Sequence, residues 1–462
     1  MTVASAFAIG ALGVLAQLPA ERYLDLTQAE STESAPAAAA QPADDEGAPE
    51  MPAEGSDVDP LDKDATEAFK PSYSADSLVR SSFWSGDRRL DGNHNLALVQ
   101  SNLKLRANPS PSITLQADAD AASSDHAFGN SRNYAVLREA FAQIVDGNLK
   151  LQAGAVLMPW GRVDTFNPTD VLTSRQYTWL TDSDDQQKVA PLALHAAYRS
   201  GPHSVELVYQ PTLRSGEIPL TTQPGITFTE MPAQSQAAYA AKYTAYRQRV
   251  TWSASFFNGP AKRPYLAPNP SDLIAGRIDL EHPATSMLGI DFEAPVSDYV
   301  FRGEAAYTRA HRFGDPGITA GINNLSSVLE LERNYGTTSA FGEAIFVHNF
   351  QYRGMASVDP SFAVAAHAAD TVNDTAHRNY VGVGAGLNYL SADMKRSFTV
   401  DVAYFPAQGD ISIRPRMRYH FTDSLAAYLG GDYLDGPTDG PLGRLRANKL
   451  VFVGLEKAIT LF

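Results

Sequence analysis

From about Ser77 to the end of the chain, apolar and polar positions alternate in short runs. That is the period of a strand whose successive side chains point to opposite faces. Over residues 411–421, Ile411, Ile413, Met417, Tyr419 and Phe421 share one face, with Pro415 among them. Ser412, Arg414, Arg416, Arg418 and His420 share the other. The alternation recurs with Ile113, Leu115, Ala117 and Ala119 against Thr114, Gln116, Asp118 and Asp120, and with Val250, Trp252, Ala254 and Phe256 against Thr251, Ser253 and Ser255. It recurs again with Phe301, Ala305 and Tyr307 against Arg302, Glu304 and Thr308, and with Phe398, Val400, Val402 and Tyr404 against Thr399 and Asp401. A soluble sandwich hides its apolar face and shows the polar one to water. A membrane barrel does the reverse, with lipid against the apolar face and charged residues lining a wet interior. No stretch is long enough for a membrane helix. The pattern predicts an all-β chain: a transmembrane antiparallel β-barrel of about 16 to 18 strands, preceded by a disordered N-terminal tail.

The connections support this reading. Tight turns are predicted at 146–148, 200–202, 294–298 and 422–424, from their Gly, Pro, Asn, Asp and Ser content. Long excursions fall near 159–188, 213–234, 259–283, 312–325, 353–378 and 435–447. Short turns on one side and long loops on the other are the rhythm of a membrane barrel. Trp84, Tyr198, Tyr209, Tyr239, Tyr307, Tyr404 and Tyr433 stand near predicted strand ends, where a ring at the membrane–water boundary keeps its body in lipid and its tip wet. In the last strand Val451, Val453, Leu455, Ile459 and Leu461 share a face that Lys457 interrupts, and Phe462 falls in the frame of Glu456. A bulge near Lys457 would restore the frame.

Composition adjusts the picture at the N-terminus. The 462 residues are 44% hydrophobic with a mean hydropathy of -0.23, too polar for a helical membrane protein and suited to a barrel with a wet lumen. The formal net charge is -15, and between Glu21 and Lys70 there are 14 acidic and 3 basic residues. The acidity therefore belongs mainly to a tail, and no basic patch argues for nucleic acid. Residues 1–20 read as a signal peptide, with an apolar run and small residues before a cleavage point but no Lys or Arg ahead of it. Residues 21–74 read as an acidic linker rich in Ala and Pro, too poor in apolar surface to offset the entropy of ordering. Residues 75–462 form the barrel. The absence of cysteine excludes disulfides, thiolate metal sites and a catalytic thiol.

Over 149–194 the strand Leu149-Lys150-Leu151-Gln152-Ala153-Gly154 runs into Met158-Pro159-Trp160-Gly161-Arg162-Val163-Asp164, then Phe166-Asn167-Pro168-Thr169-Asp170 and Asp182-Ser183-Asp184-Asp185-Gln186. A glycine-bearing strand leading to a Pro-Trp-Gly loop resembles proteobacterial outer-membrane β-barrel porins, phosphate-selective-porin-like proteins and poorly characterised relatives among them. The resemblance implies a channel in the outer membrane of a Gram-negative cell. Its partners would be membrane lipid and small solutes, and a homotrimer is the assembly many such proteins form. It also implies that the loop after an early strand folds inward. Trp160, Arg162, Asp164, Asn167, Asp170, Asp182, Asp184 and Asp185 would then belong to the constriction, with the aspartates facing the arginine row.

Arg414, Arg416 and Arg418 would stack along one wall about 7 Å apart, two residues per pleat. Asp401 and Asp432 fall in the polar frame of the flanking strands, and Arg302 and Glu304 in that of their own. These seven are the candidate pore-lining and selectivity residues, biasing the lumen toward anions or bracing the barrel as a salt-bridge ladder. The row Gly382, Gly384 and Gly386 thins another strand toward the lumen, leaving room for a loop or solute. No nucleophile elbow, phosphate loop or dinucleotide motif is present, so no enzyme activity and no cofactor are expected. Asp182, Asp184 and Asp185 lack the glycine and distal glutamate of a calcium loop, and no metal is expected. The expected function is passive diffusion of small hydrophilic solutes, anionic ones included. A barrel that carries a polysaccharide or lipid, and a soluble secreted all-β binding protein, are the alternatives.

Overall fold

A computed structural model describes residues 69–88, 95–124, 133–163, 165–177, 179–218, 226–233, 235–446 and 448–462. The expected signal peptide and almost all of the acidic linker lie outside these. Numbering the barrel strands alone, the first nine are β1 (Ser72–Arg88), β2 (Asn95–Ser110), β3 (Ile113–Ser124), β4 (Asn133–Asp146), β5 (Leu149–Ala155), β6 (Leu192–Ser200), β7 (His203–Gln210), β8 (Ala238–Arg247) and β9 (Val250–Pro260). The rest are β10 (Ala284–Val296), β11 (Tyr299–Ala310), β12 (Asn323–Tyr335), β13 (Thr338–Asn349), β14 (Asn379–Leu390), β15 (Arg396–Phe405), β16 (Asp410–Thr422), β17 (Leu425–Asp435) and β18 (Asn448–Thr460). Each pairs antiparallel with its neighbours in sequence, and β1 pairs with β18, so the 18-stranded sheet closes on itself. The upper end of the expected strand count holds, and β1 begins slightly before the expected boundary at residue 75.

The alternation read from the sequence is the alternation of the wall. Leu115, Trp252, Phe301, Leu288, Leu329 and Val383 are exposed on the outside, while Glu304 and Asp401 are buried on the inside. Cysteines placed singly at Leu115, Trp252, Phe301, Val383 and Tyr419 are expected to react with a lipid-soluble maleimide. Those at Asp118, Glu304 and Asp401 should react only with a water-soluble one, and an inverted pattern on two strands would overturn the register.

Turns of two residues at 111–112, 147–148, 201–202, 248–249, 297–298, 336–337 and 423–424 make one rim. Gly201 sits there at φ +54°, a left-handed conformation that a residue with a Cβ resists. Among the rings expected at the boundary, Tyr198, Tyr209, Tyr239, Tyr307, Tyr404 and Tyr433 are exposed. Trp84 is not: it points inward, 2% exposed, with its ring centroid 4.2 Å from that of Phe452. Its place in the Leu78, Arg80, Ser82 frame, rather than its chemistry, decides its side. Nor is there a bulge at Lys457. The pairing of β18 with β1 runs without a shift from Asn448 to Thr460, and Lys457 stays outside, its Nζ donating to Ser424 Oγ at 2.8 Å beside the turn rim. A long stem that carries its charge to the boundary makes a change of frame unnecessary.

On the other rim four loops build a cap with its own core. Strand Arg277–Glu281 pairs parallel with Thr227–Glu230 and antiparallel with Tyr265–Ala267. Helix α1 (Pro270–Ile274) is capped by Asn269, whose Oδ1 accepts from Asp272 N at 3.0 Å, and helix α2 (Ala363–Val372) closes the core with Ala365, Ala366, Ala369 and Val372. Leu266, Leu273, Ile278, Ile318 and Val358 fill it. Asn373 stitches the helix to the sheet, exchanging 2.9 Å bonds with the backbone N and O of Leu266.

Asp370 of α2 is buried in the cap, accepting from Ala320 N at 3.3 Å and Thr375 Oγ1 at 3.1 Å, with Arg353 Nε 4.0 Å away. Burial pushes its carboxyl up to about 6. A carboxyl raised above its unfolded value stabilises the fold below that value, and the contribution is lost as pH rises through about 6. The cap is therefore expected to loosen as pH rises from about 4 to about 6, by no more than about 3 kcal/mol. Hydrogen exchange of α2, corrected for intrinsic rate, should show this, and Asp370→Asn should abolish the dependence.

Candidate functional site

The connection between β5 and β6, residues 156–191, folds into the barrel and is held at both ends of its course by buried charge. Its first half lies against β9–β13. Glu304 of β11 receives the backbone N–H groups of Arg162, Val163 (2.9 Å) and Thr169 (3.4 Å), and the Thr169 hydroxyl at 2.9 Å. Arg162 Nε donates to Asp291 Oδ1 of β10 at 2.5 Å, and Thr165 Oγ1 donates to Glu343 of β13. Lys242 of β8 lies 3.3 Å from the other Asp291 oxygen and 5.7 Å from the Trp160 ring centroid. Trp160 itself is buried with Leu172, Phe257 and Met287.

The turn after Trp160 explains the Pro-Trp-Gly sequence. Gly161 adopts φ +109°, and a Cβ there would fall within 2.3 Å of the Asn167 side chain, so only glycine lets the loop fold back on itself. Asn167 Oδ1 in turn accepts from Thr169 Oγ1 at 3.3 Å, which positions the Thr169 hydroxyl for Glu304.

The second half lies against β15–β18, β1 and β4. Arg414 grips Asp184 with two bonds, of 2.7 and 2.8 Å, and Asp432 with its Nε at 3.0 Å. Arg416 reaches Asp432 at 2.5 Å and the backbone oxygen of Asp182 at 3.4 Å, lying over the Phe452 ring. Arg418 and Arg80 share the Asp182 carboxylate, at 2.6 and 3.1 Å, and both also reach Glu456 at 3.2 Å. Arg138 of β4 completes the clamp, donating to the Asp185 backbone oxygen at 3.0 Å. Strands β11 and β1 are nearly half the ring apart, so the loop spans the lumen as a strap. Its amides and cations face an acidic wall, and its aspartates face a basic one.

The sequence-predicted residues are thus only partly brought together. Asp182 and Asp184 face the arginine row as expected. Asp185 does not: its carboxylate pairs with Lys188. Asp170 does not either, lying 3.8 Å from Arg175, where burial raises its carboxyl above the usual range. Both belong to the loop's internal pairing, because the chain turns between Asp170 and Asp182. Asp164 lies outside the described residues. Arg302 sits below the strap, bound to Glu293 (3.2 Å), Glu330 (2.7 Å) and Glu332 (2.6 Å) rather than to Glu304.

Asp401 pairs in register with Arg414, yet Arg414 is engaged by Asp184 and Asp432, and no hydrogen bond among the described residues reaches Asp401 Oδ1. It lines a cavity of about 210 Å³ between strap and wall, together with Ser397, Thr399, Arg416 and Arg418. The glycine row is filled by neighbouring strands. Phe405 lies over Gly382, Glu343 over Gly384, and Phe341 with Asp401 over Gly386, so the room left by the missing side chains serves the residue that holds Thr165. Arg80, Glu456, Asp291 and Glu343 escape the sequence reading. Each stands in the polar frame of a strand, but nothing in a single sequence distinguishes them from other inward polar residues.

Among solved structures the chain is similar to Pseudomonas aeruginosa OccK5 (OpdH), with a TM-score of 0.52, 9% identity, and 84% of this chain and 98% of that one covered. Acinetobacter baumannii OccAB3 gives 0.53 at 10% identity, covering 84% and 99%. Pseudomonas aeruginosa OpdK with vanillate gives 0.51 at 10%, covering 84% and 98%. The likeness is one of fold, that of this chain's closed 18-stranded barrel. No family model and no curated protein matches the sequence.

Proposed function

We propose that the chain is an outer-membrane channel for passive diffusion of small hydrophilic solutes, and that its eyelet is the space between the strap and the wall of β14–β18. The observation that carries this is the long inward loop fixed across a closed barrel whose outer face is apolar and whose inner face is charged. A barrel of this size has an aqueous lumen unless something fills it, and in this reading the strap narrows it. Arg414, Arg416, Arg418, Asp401 and Asp432 line the eyelet in this reading, with Asp182 and Asp184 on the facing loop. Arg302 and Glu304 stand on the opposite wall, where Glu304 anchors the strap.

The three arginines alone would attract anions. Here Asp182, Asp184, Asp432 and Glu456 neutralise them at contact distance, so the eyelet presents ordered opposite charges rather than a positive field. Such an arrangement orients dipolar solutes more than it selects by net charge. The crystallisation of a similar barrel with vanillate is in keeping with a small solute. Phosphate, suggested by the resemblance to phosphate-selective-porin-like proteins, is one candidate.

Planar-bilayer conductance of the refolded full chain tests the proposal, with chloride, acetate and phosphate salts in turn. Discrete open-channel steps are expected in all three. Insertion without conductance would favour a barrel closed at rest that serves a larger ligand. Failure to enter bilayers, with solubility in plain buffer, would overturn the membrane reading.

A further inference from the structure

At the loop rim the outer face of the barrel carries a sector of exposed cations and rings. Where β11 rises to the loop rim, Tyr307 and Arg309 continue the outward face of Phe301, and His311 and Arg312 follow in the connection, all exposed. Two strands along, the outward residues Phe346 and His348 lead to Phe350. The His348 and Phe350 ring centroids are 4.6 Å apart, and Phe350 meets Tyr307 at 5.8 Å, edge to face. His348 Nδ1 lies 2.6 Å from Asn379 Oδ1, which brings in the exposed Arg378, whose guanidinium lies 5.5 Å from the Tyr352 ring centroid. Among the described residues no carboxylate pairs with Arg309, Arg312 or Arg378. Cations without a carboxylate partner among the described residues also stand at the turn rim, Arg199, Arg247, Arg249 and Lys395 among them, whereas at the loop rim Lys449 on β18 lies 3.4 Å from Asp435.

We propose that this sector, between β11 and β14, binds a phosphate-bearing lipid of the outer leaflet, its aromatic rings against the acyl chains and Arg309, Arg312 and Arg378 against the phosphate. Two observations choose a lipid over a free anion. Arg309 stands at the upper limit of the lipid-facing belt, in the outward frame of Phe301 and Tyr307, and Arg312 and Arg378 are exposed in the connections at the same rim. They are also interleaved with rings, which suit the boundary between hydrocarbon and headgroup. Unpaired arginines at this depth gain both Coulomb attraction and forked hydrogen bonds from a phosphate. The inference rests on the outer-membrane reading proposed above and on the long-loop rim facing the outer leaflet, as in barrels with short periplasmic turns.

The test is retention of diphosphoryl lipid A by the full chain through detergent exchange, read by native mass spectrometry, with phosphatidylcholine as the uncharged comparison. Wild type should retain lipid A in preference to phosphatidylcholine. The variant Arg309→Ser/Arg312→Ser/Arg378→Ser should retain at least about tenfold less, while Lys457→Ser on the opposite rim retains as much as wild type. Heat-modifiable migration reports folding for each, and the three single variants stand in if the triple one does not fold. Equal retention by wild type and variant overturns the proposal, as does equal retention of the two lipids by wild type. Displacement by millimolar inorganic phosphate would assign the arginines to a soluble anion and overturn the lipid. Because retention is read without conduction, a barrel that holds lipid A and shows no conductance steps would refute the channel and leave this inference standing.

Discussion

Replacing Arg414, Arg416 and Arg418 together by Gln is expected to raise single-channel conductance and lower the temperature at which the folded barrel is lost. The anion-to-cation permeability ratio should change by less than about twofold. The triple change removes the arginines that pair with Asp184 and Asp432, and one of the two that hold the Asp182 carboxylate. Removing one member of a buried pair costs about 3 to 5 kcal/mol because the other charge is left uncompensated. These arginine side chains are 15 to 30% exposed, so solvent screening reduces that figure. The second half of the strap would then swing free, while Glu304 still holds the first half. Asp182→Asn/Asp184→Asn should reproduce the conductance change from the loop side. A large fall in anion preference at unchanged thermal stability would instead show that the arginines act on solutes and only incidentally on the loop.

Leu329→Arg is expected to be the most damaging single substitution on the outer face. Leu329 stands near the middle of β12, 61% exposed, opposite Gly303 and Ala344 on the flanking strands, so no neighbouring side chain is long enough to cover a charge. An arginine at mid-membrane on a barrel costs about 2 to 4 kcal/mol, and one near either boundary far less. Urea unfolding in lipid vesicles should show the loss for Leu329→Arg. An arginine at Tyr335, at the turn rim on the same strand, should cost less than about 1 kcal/mol. Equal costs at the two positions would mean that the belt is misplaced along the strand.

What the sequence made legible was whatever depends on a period of two. Alternation placed the outward residues of β3, β9, β11 and β14–β16, and the turn residues placed the hairpins at 147–148 and 201–202. The resemblance around Trp160 indicated which loop turns inward. Alternation also misleads where chemistry is allowed to override frame. Trp84 was assigned to the boundary as an aromatic at a strand end, although its own alternation with Ser81 and Phe83 puts it inside. Contacts between distant segments were not legible. That Asp182 rather than Asp170 reaches the arginines depends on how the chain turns between them, and Glu304 as the receiver of three backbone amides depends on where the strap happens to cross. No spacing rule within one strand encodes either.

The seam between β1 and β18 has a consequence for how the molecule comes into being. Arg80 and Glu456 are bonded across 376 positions of chain, and the thirteen-residue ladder on which they sit joins the first strand to the last. Any partly assembled barrel therefore carries two unpaired strand edges, one at each extremity of the chain, each a template for the wrong partner. Contacts of such sequence separation are the slowest to form. Closure must be the late, committing event of assembly, and the interval before it is when the chain is most exposed to aggregation.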